Sequence, residues 1–205
     1  FVKLVALALA LGLWYRILPA VPLVDAGFLV LVVTVKLSGY GNPIYPTPYK
    51  GVEIARLVDL ALFNMMVLVL MLERRIPETG FGFLPAWKDW RIRARNYLYF
   101  LPVGAVLGFL LKAGRLVMPS DPIKLALYFL SYLFVLTLAE EFLFRGVLQQ
   151  WIEDWTRSRG TALILTSILF GAAHLWFRHF PNWQWLIIAG TLGWFCGRAR
   201  NQAGS

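Results

Sequence analysis

The sequence predicts an all-α fold, a polytopic bundle of membrane helices, on three observations. Of its 205 residues 59% are hydrophobic, and the mean hydropathy is +0.64. Charged residues make up 15%, well under the roughly 25% of soluble domains. The apolar residues also gather into about seven segments, approximately 2–18, 21–37, 53–72, 97–113, 123–150, 161–176 and 184–197. About 20 such residues at roughly 1.5 Å rise cross a hydrocarbon core of about 30 Å, so each segment is a candidate span.

The first two segments are separated by almost no polar turn, Leu18 to Pro22, so this pair is also readable as a re-entrant or interfacial element. Gly39 to Gly51, with Pro43, Pro46 and Pro48, reads as an extended interfacial loop. The loop 73–96 is the most basic, with Arg74, Arg75, Lys88, Arg91, Arg93 and Arg95. Arg157, Arg159, Arg198 and Arg200 mark loops of the same parity, which places all of these on the cytoplasmic side. The run from Lys88 to Arg95 reads first as such an anchor and second as a contact for an anionic partner or lipid headgroup. Nine Trp, eight Tyr and fifteen Phe fit aromatic membrane belts rather than a nucleic-acid surface, despite the sequence pI of about 10.0. The organisation expected is N-terminal membrane helices over 1–72 and a core over 73–205, in an integral, multi-pass protein of a bacterial or archaeal cell membrane. One cysteine, Cys196, excludes an internal disulfide and reads as a buried, inert thiol.

Within the fifth segment lies Thr137-Leu-Ala-Glu140-Glu141-Phe-Leu-Phe-Arg145-Gly146. Ionised groups at bilayer depth are costly unless they pair or line a wet cavity, so this cluster is a site hypothesis. On a helix, Glu141 and Arg145 are i,i+4 neighbours, while Glu140 lies roughly 100° from Glu141 and 140° from Arg145. Glu141 and Arg145 neutralise each other, which leaves Glu140 as the carboxylate better placed for a low-dielectric site and a raised pKa.

A second element, Phe170-Gly-Ala-Ala-His174, follows on the next segment. Glu140 precedes Arg157 by 17 residues and His174 follows it by 17. An antiparallel hairpin turning near Arg157 brings both side chains to one depth, about 25 Å of helix from the turn. Ser167, Gly171 and His174 share a helical stripe, and Ser167-x-x-x-Gly171 admits a close neighbouring helix. A carboxylate and an imidazole sharing one water suit general-base hydrolysis.

Glu140-Glu141-x-x-x-Arg145-Gly146 followed by Phe170-x-x-x-His174 resembles the two motifs of the CAAX prenyl protease and bacteriocin-processing (Abi) family of intramembrane proteases. The resemblance runs from about Asp121 to the end, and more loosely over Gly80 to Gly108. It implies a catalytic base in Glu140, a supporting pair in Glu141 and Arg145, an active-site histidine in His174, and a cavity shaped in part by Phe170. It further implies an eight-helix bundle, hence an eighth helix in the native protein. A third motif, His-x-x-x-Asn or a variant, is expected beyond Ser205, because Gly190 to Ser205 resembles its approach. The implied substrate is a membrane-anchored peptide or lipidated protein, in the lipid bilayer and with no nucleic acid.

A metal-free glutamate mechanism is expected, with no cofactor. Zinc is the alternative, and would draw Glu140, His174 and a further ligand from the missing end. Two other classes compete: a non-catalytic membrane helper for bacteriocin immunity or protein sorting, and a proton-coupled transporter. The transporter lacks the internal repeats such proteins show. No Gly-x-Ser-x-Gly elbow, Walker loop or dinucleotide fingerprint is present.

Overall fold

A computed structural model describes residues 2–38, 54–76, 86–114, 121–131 and 137–204, and every regular element among them is helical. The chain divides into two compact units, Phe1–Pro77 and Glu78–Ser205. The loop expected over 39–52 lies almost wholly outside the described residues.

In the first unit, α1 (Val2–Ile17) and α2 (Pro22–Leu37) form a hairpin, and α3 (Ile54–Leu68) runs on into a wide, π-type turn at Val69–Glu73. Trp14 and Tyr15 pack on the fully buried Phe28 of α2, with ring centroids 6.0 and 5.3 Å away. Asp25 is 1% exposed, yet both its oxygens are engaged. Arg74 donates from Nε to Oδ1 at 2.9 Å and from Nη2 to Oδ2 at 3.0 Å, and the Tyr15 hydroxyl donates to Oδ1 at 2.9 Å. A carboxylate is tolerated in that position because its charge is paired and its lone pairs are filled.

The second unit contains α4 (Trp87–Leu110), α5 (Pro122–Ser131), a continuous helical run, α8 (Arg159–Ala173) and α9 (Trp183–Ala203). The run comprises α6 (Leu138–Glu141), a wide π-type section (Phe142–Leu148) and α7 (Gln149–Thr156). It ends where Arg157 turns left-handed (φ 55°), and Ser158 caps α8 by accepting from the Thr161 N–H at 3.2 Å. The hairpin turn expected near Arg157 is therefore present. α8 and α9 are antiparallel and close: a Cβ on Gly171 would lie 2.5 Å from the Leu186 carbonyl oxygen and 3.1 Å from Gly190 Cα. Ser167-x-x-x-Gly171 thus admits α9, as expected. Gly193 and Gly197 likewise face Phe170 and Gln149 inside the bundle.

That approach gives a stability prediction. Gly171→Ala forces a methyl against backbone and is expected to cost about 1–3 kcal/mol. Gly108→Ala, where a Cβ meets nothing within 4 Å, is expected to be neutral or slightly stabilising. Thermal unfolding of the two variants beside the parent checks the contrast.

Among the described residues the apolar segments coincide with helices, with one correction. α4 begins at Trp87, so the basic run Lys88–Arg95 is its opening rather than a loop. Lys, Arg and Ala favour helix, and Asp89 reaches back to accept from the Ala86 N–H at 3.2 Å. The segment drawn over 123–150 holds α5 and the α6–α7 run, with 132–136 outside the described residues. No described helix is long and apolar enough to cross a membrane. α1 and α2 have 16 residues and α3 and α8 have 15, while the 24-residue α4 opens on its charged run.

Candidate active site

In the run from Leu138 to Thr156 four polar residues, Glu141, Arg145, Gln149 and Glu153, stand four apart. In an α-helix, residues at that spacing drift about 40° around the axis. With i→i+5 bonding, more residues make each turn, and the drift nearly vanishes. The wide section Phe142–Leu148 therefore helps hold Glu141, Arg145, Gln149 and Glu153 on one line facing α9. Cys196 lies beside Glu141, and Arg145 donates from Nη2 to the Gly193 carbonyl at 3.2 Å. Gln149, fully buried, donates to the Gly197 carbonyl at 3.2 Å and to Asn201 at 2.9 Å. Glu153 accepts from Arg200 at 3.0 Å and from Arg159 at 2.9 Å. Partial burial raises the Glu153 carboxyl, but these two guanidiniums outweigh it and hold the group below its ordinary value.

Arg145 is 5% exposed and sits at the centre of the cluster. Its Nη1 lies 3.2 Å from Glu141 Oε1, and its Cζ stands 4.4 Å above the Phe170 ring. Desolvated, a cation–π contact of this kind contributes about 2 kcal/mol. Phe144 meets Phe170 edge-on at 4.9 Å and 88°. The His174 ring lies 4.9 Å from that of Phe170.

His174 stands at the C-cap of α8. α8 ends at Ala173, and His174 opens a 3-10 turn, His174–Trp176. Its Nδ1 lies 2.8 Å from the Phe170 carbonyl oxygen. A carbonyl can only accept, so Nδ1 carries a hydrogen, which fixes Nε2 as the nitrogen that holds the lone pair whenever the ring is neutral. The following loop is fixed by the buried Asn182, which donates to the Phe177 carbonyl at 2.8 Å and accepts from the Trp185 N–H at 3.1 Å. His179 is exposed in that loop.

Glu141, Arg145, Phe170 and His174 thus form one chain of contacts linking the two sequence motifs. Glu140, partly buried on α6, is one residue before Glu141. No group of three or more His, Cys, Asp or Glu among the described residues is arranged to hold a metal ion, so a three-ligand zinc site does not fit them.

Residues 122–205 match the family model described as Type II CAAX prenyl endopeptidase Rce1-like. The segment is similar to CAAX prenyl proteases. It contains every candidate residue of both motifs, and the resemblance drawn from those motifs is to the same family. The match covers less than half of the chain, and the looser likeness over Gly80 to Gly108 lies outside it. No curated protein and no solved structure matches the chain.

Within this CAAX-protease-like segment, sequence reasoning missed the partners on α9. Cys196, read from the sequence as a buried thiol, is a free thiol largely buried beside Glu141. Gln149 and Asn201 were not singled out. The four-residue repeat 141, 145, 149, 153 was a usable signal, since it marks a polar stripe on a largely apolar helix.

Proposed function

We propose that the chain is a multi-pass intramembrane endopeptidase, of a bacterial or archaeal cell membrane, that cleaves a membrane-anchored peptide or a lipidated protein. Glu140 takes a proton from water, and the oxygen attacks the substrate carbonyl. The tetrahedral intermediate collapses as the leaving amine receives that proton. His174, neutral with Nδ1–H on the Phe170 carbonyl, offers Nε2 to accept the other hydrogen of the water and so orients it. Glu141 and Arg145 hold the helix face. No cofactor enters the reaction.

One observation carries this reading: the second motif is built onto the first, with the Phe170 ring in contact with the Arg145 guanidinium at 4.4 Å and with the His174 imidazole at 4.9 Å. The membrane location is supported by an inverted polarity. Arg145, Gln149, Thr166, Ser167, Asn96 and Asn182 are buried, while Ile164, Leu165, Ile168 and Leu169 line the exposed face of α8 and Leu98, Val106, Phe109 and Leu110 that of α4. Extended apolar exposure of this kind fits a lipid solvent.

The test is cleavage of a membrane-anchored reporter by the full-length protein in liposomes, with and without a strong chelator. Cleavage unchanged by the chelator is the expected result. Loss with chelator and recovery with zinc would replace the glutamate mechanism by the metal one, and no cleavage of prenylated or leader-peptide reporters would favour the non-catalytic helper.

A further inference from the structure

α4 has a sidedness that the site does not use. From Trp87 to Arg95 every residue except Asp89 and Ile92 is exposed. Its body-facing side is fixed by Asn96, which is 2% exposed and donates to Gln202 of α9 at 2.9 Å, and by Arg95, which donates to the same oxygen at 3.1 Å. At about 100° per residue, Asp89, Ile92 and Asn96 share that inner side. Trp87, Trp90, Ala94, Leu98 and Leu101 fall on the opposite, outer side. Lys88, Arg91 and Arg95 follow one edge of this outer stripe, and Arg93 and Tyr97 follow the other.

Trp87 is 77% exposed and Trp90 57%. Four cations stand against the single Asp89 here, a net +3. Further along, past the exposed Tyr97 and Tyr99, the large exposed residues are apolar: Leu101, Val103, Val106, Phe109 and Leu110. An acidic protein or a nucleic acid would neutralise the first part and leave the second uncovered. An anionic lipid leaflet covers both, because indole rings settle at headgroup level, Lys and Arg extend to phosphates, and the acyl chains meet the apolar turns.

We propose that the outer stripe of α4 binds anionic phospholipid headgroups, with Lys88, Arg91 and Arg93 meeting the phosphates and Trp87 and Trp90 seated beside them. The surface rests on the membrane location and not on catalysis, so an inactive protein would keep it.

Full-length protein in nonionic micelles, titrated with brominated phosphatidylglycerol or brominated phosphatidylcholine, reports contact through quenching of its tryptophans. Phosphatidylglycerol is expected to be preferred by at least about tenfold at low salt, with the preference fading at high salt. The Lys88→Gln/Arg91→Gln/Arg93→Gln variant keeps all nine Trp and is expected to lose the preference with unchanged helicity. Trp87→Phe/Trp90→Phe should lose the phosphatidylglycerol-specific quenching. Equal quenching of the parent by both lipids overturns the proposal, as does a preference that survives in either variant. Displacement of the lipid by inorganic phosphate or polyglutamate at matched charge would also overturn it, assigning the stripe to a soluble anion or an acidic protein.

Discussion

Glu140→Gln is expected to lower cleavage of a membrane-anchored reporter by about 10²- to 10⁴-fold, the range typical of losing a general base. Gln keeps the shape of the side chain and removes its basicity. The substitution leaves the pair formed by Glu141 with Arg145 in place. A rate measured together with unfolding therefore separates chemistry from folding. Near-normal cleavage by a well-folded variant would remove Glu140 as the base. A protein whose biological role survives the substitution intact would belong with the non-catalytic helpers.

Much of the helical layout was legible because apolar stretches large enough to bury a face announce themselves in hydropathy. Among the described residues every drawn segment corresponds to helix. Hydropathy cannot see helix that is polar, which is why the opening of α4, built on Lys, Arg and Ala with Asp89 at its start, read as a loop. Nor can a one-dimensional pattern show the π-type winding at Phe142–Leu148, whose ladder changes without a change in residue type.

The contact between the motifs was legible for a different reason. Equal distances from the turn at Arg157 predict Glu140 and His174 at one level, and the contact seen between the two motifs is that of Arg145 with Phe170. The end of α8 at Ala173 was not predictable from the stripe, because it depends on a side-chain bond from His174 back to the Phe170 carbonyl. The α9 partners of the seam, Gly193, Cys196, Gly197 and Asn201, depend on a register between non-adjacent helices, set by glycine contacts that only the packed bundle displays.

Glu141→Gln should behave differently from Glu140→Gln, since it strands the Arg145 guanidinium. Arg145 would keep the Gly193 carbonyl and the Phe170 ring but lose its counter-charge, and its Nε has no hydrogen-bond partner among the described residues. Breaking a fully buried pair from one side costs about 3–5 kcal/mol. Glu141 is 33% exposed at its side chain, so solvent screens part of that charge, and a loss of about 2 kcal/mol is expected here. Cleavage should fall as well, because a displaced Arg145 disturbs Phe170 and, through it, His174. Adding Arg145→Met removes the stranded cation and should recover stability relative to Glu141→Gln alone, without restoring the rate. Thermal unfolding of the two single variants and the double variant closes the cycle. Additive losses in the double variant would show that the pair does not act as a unit.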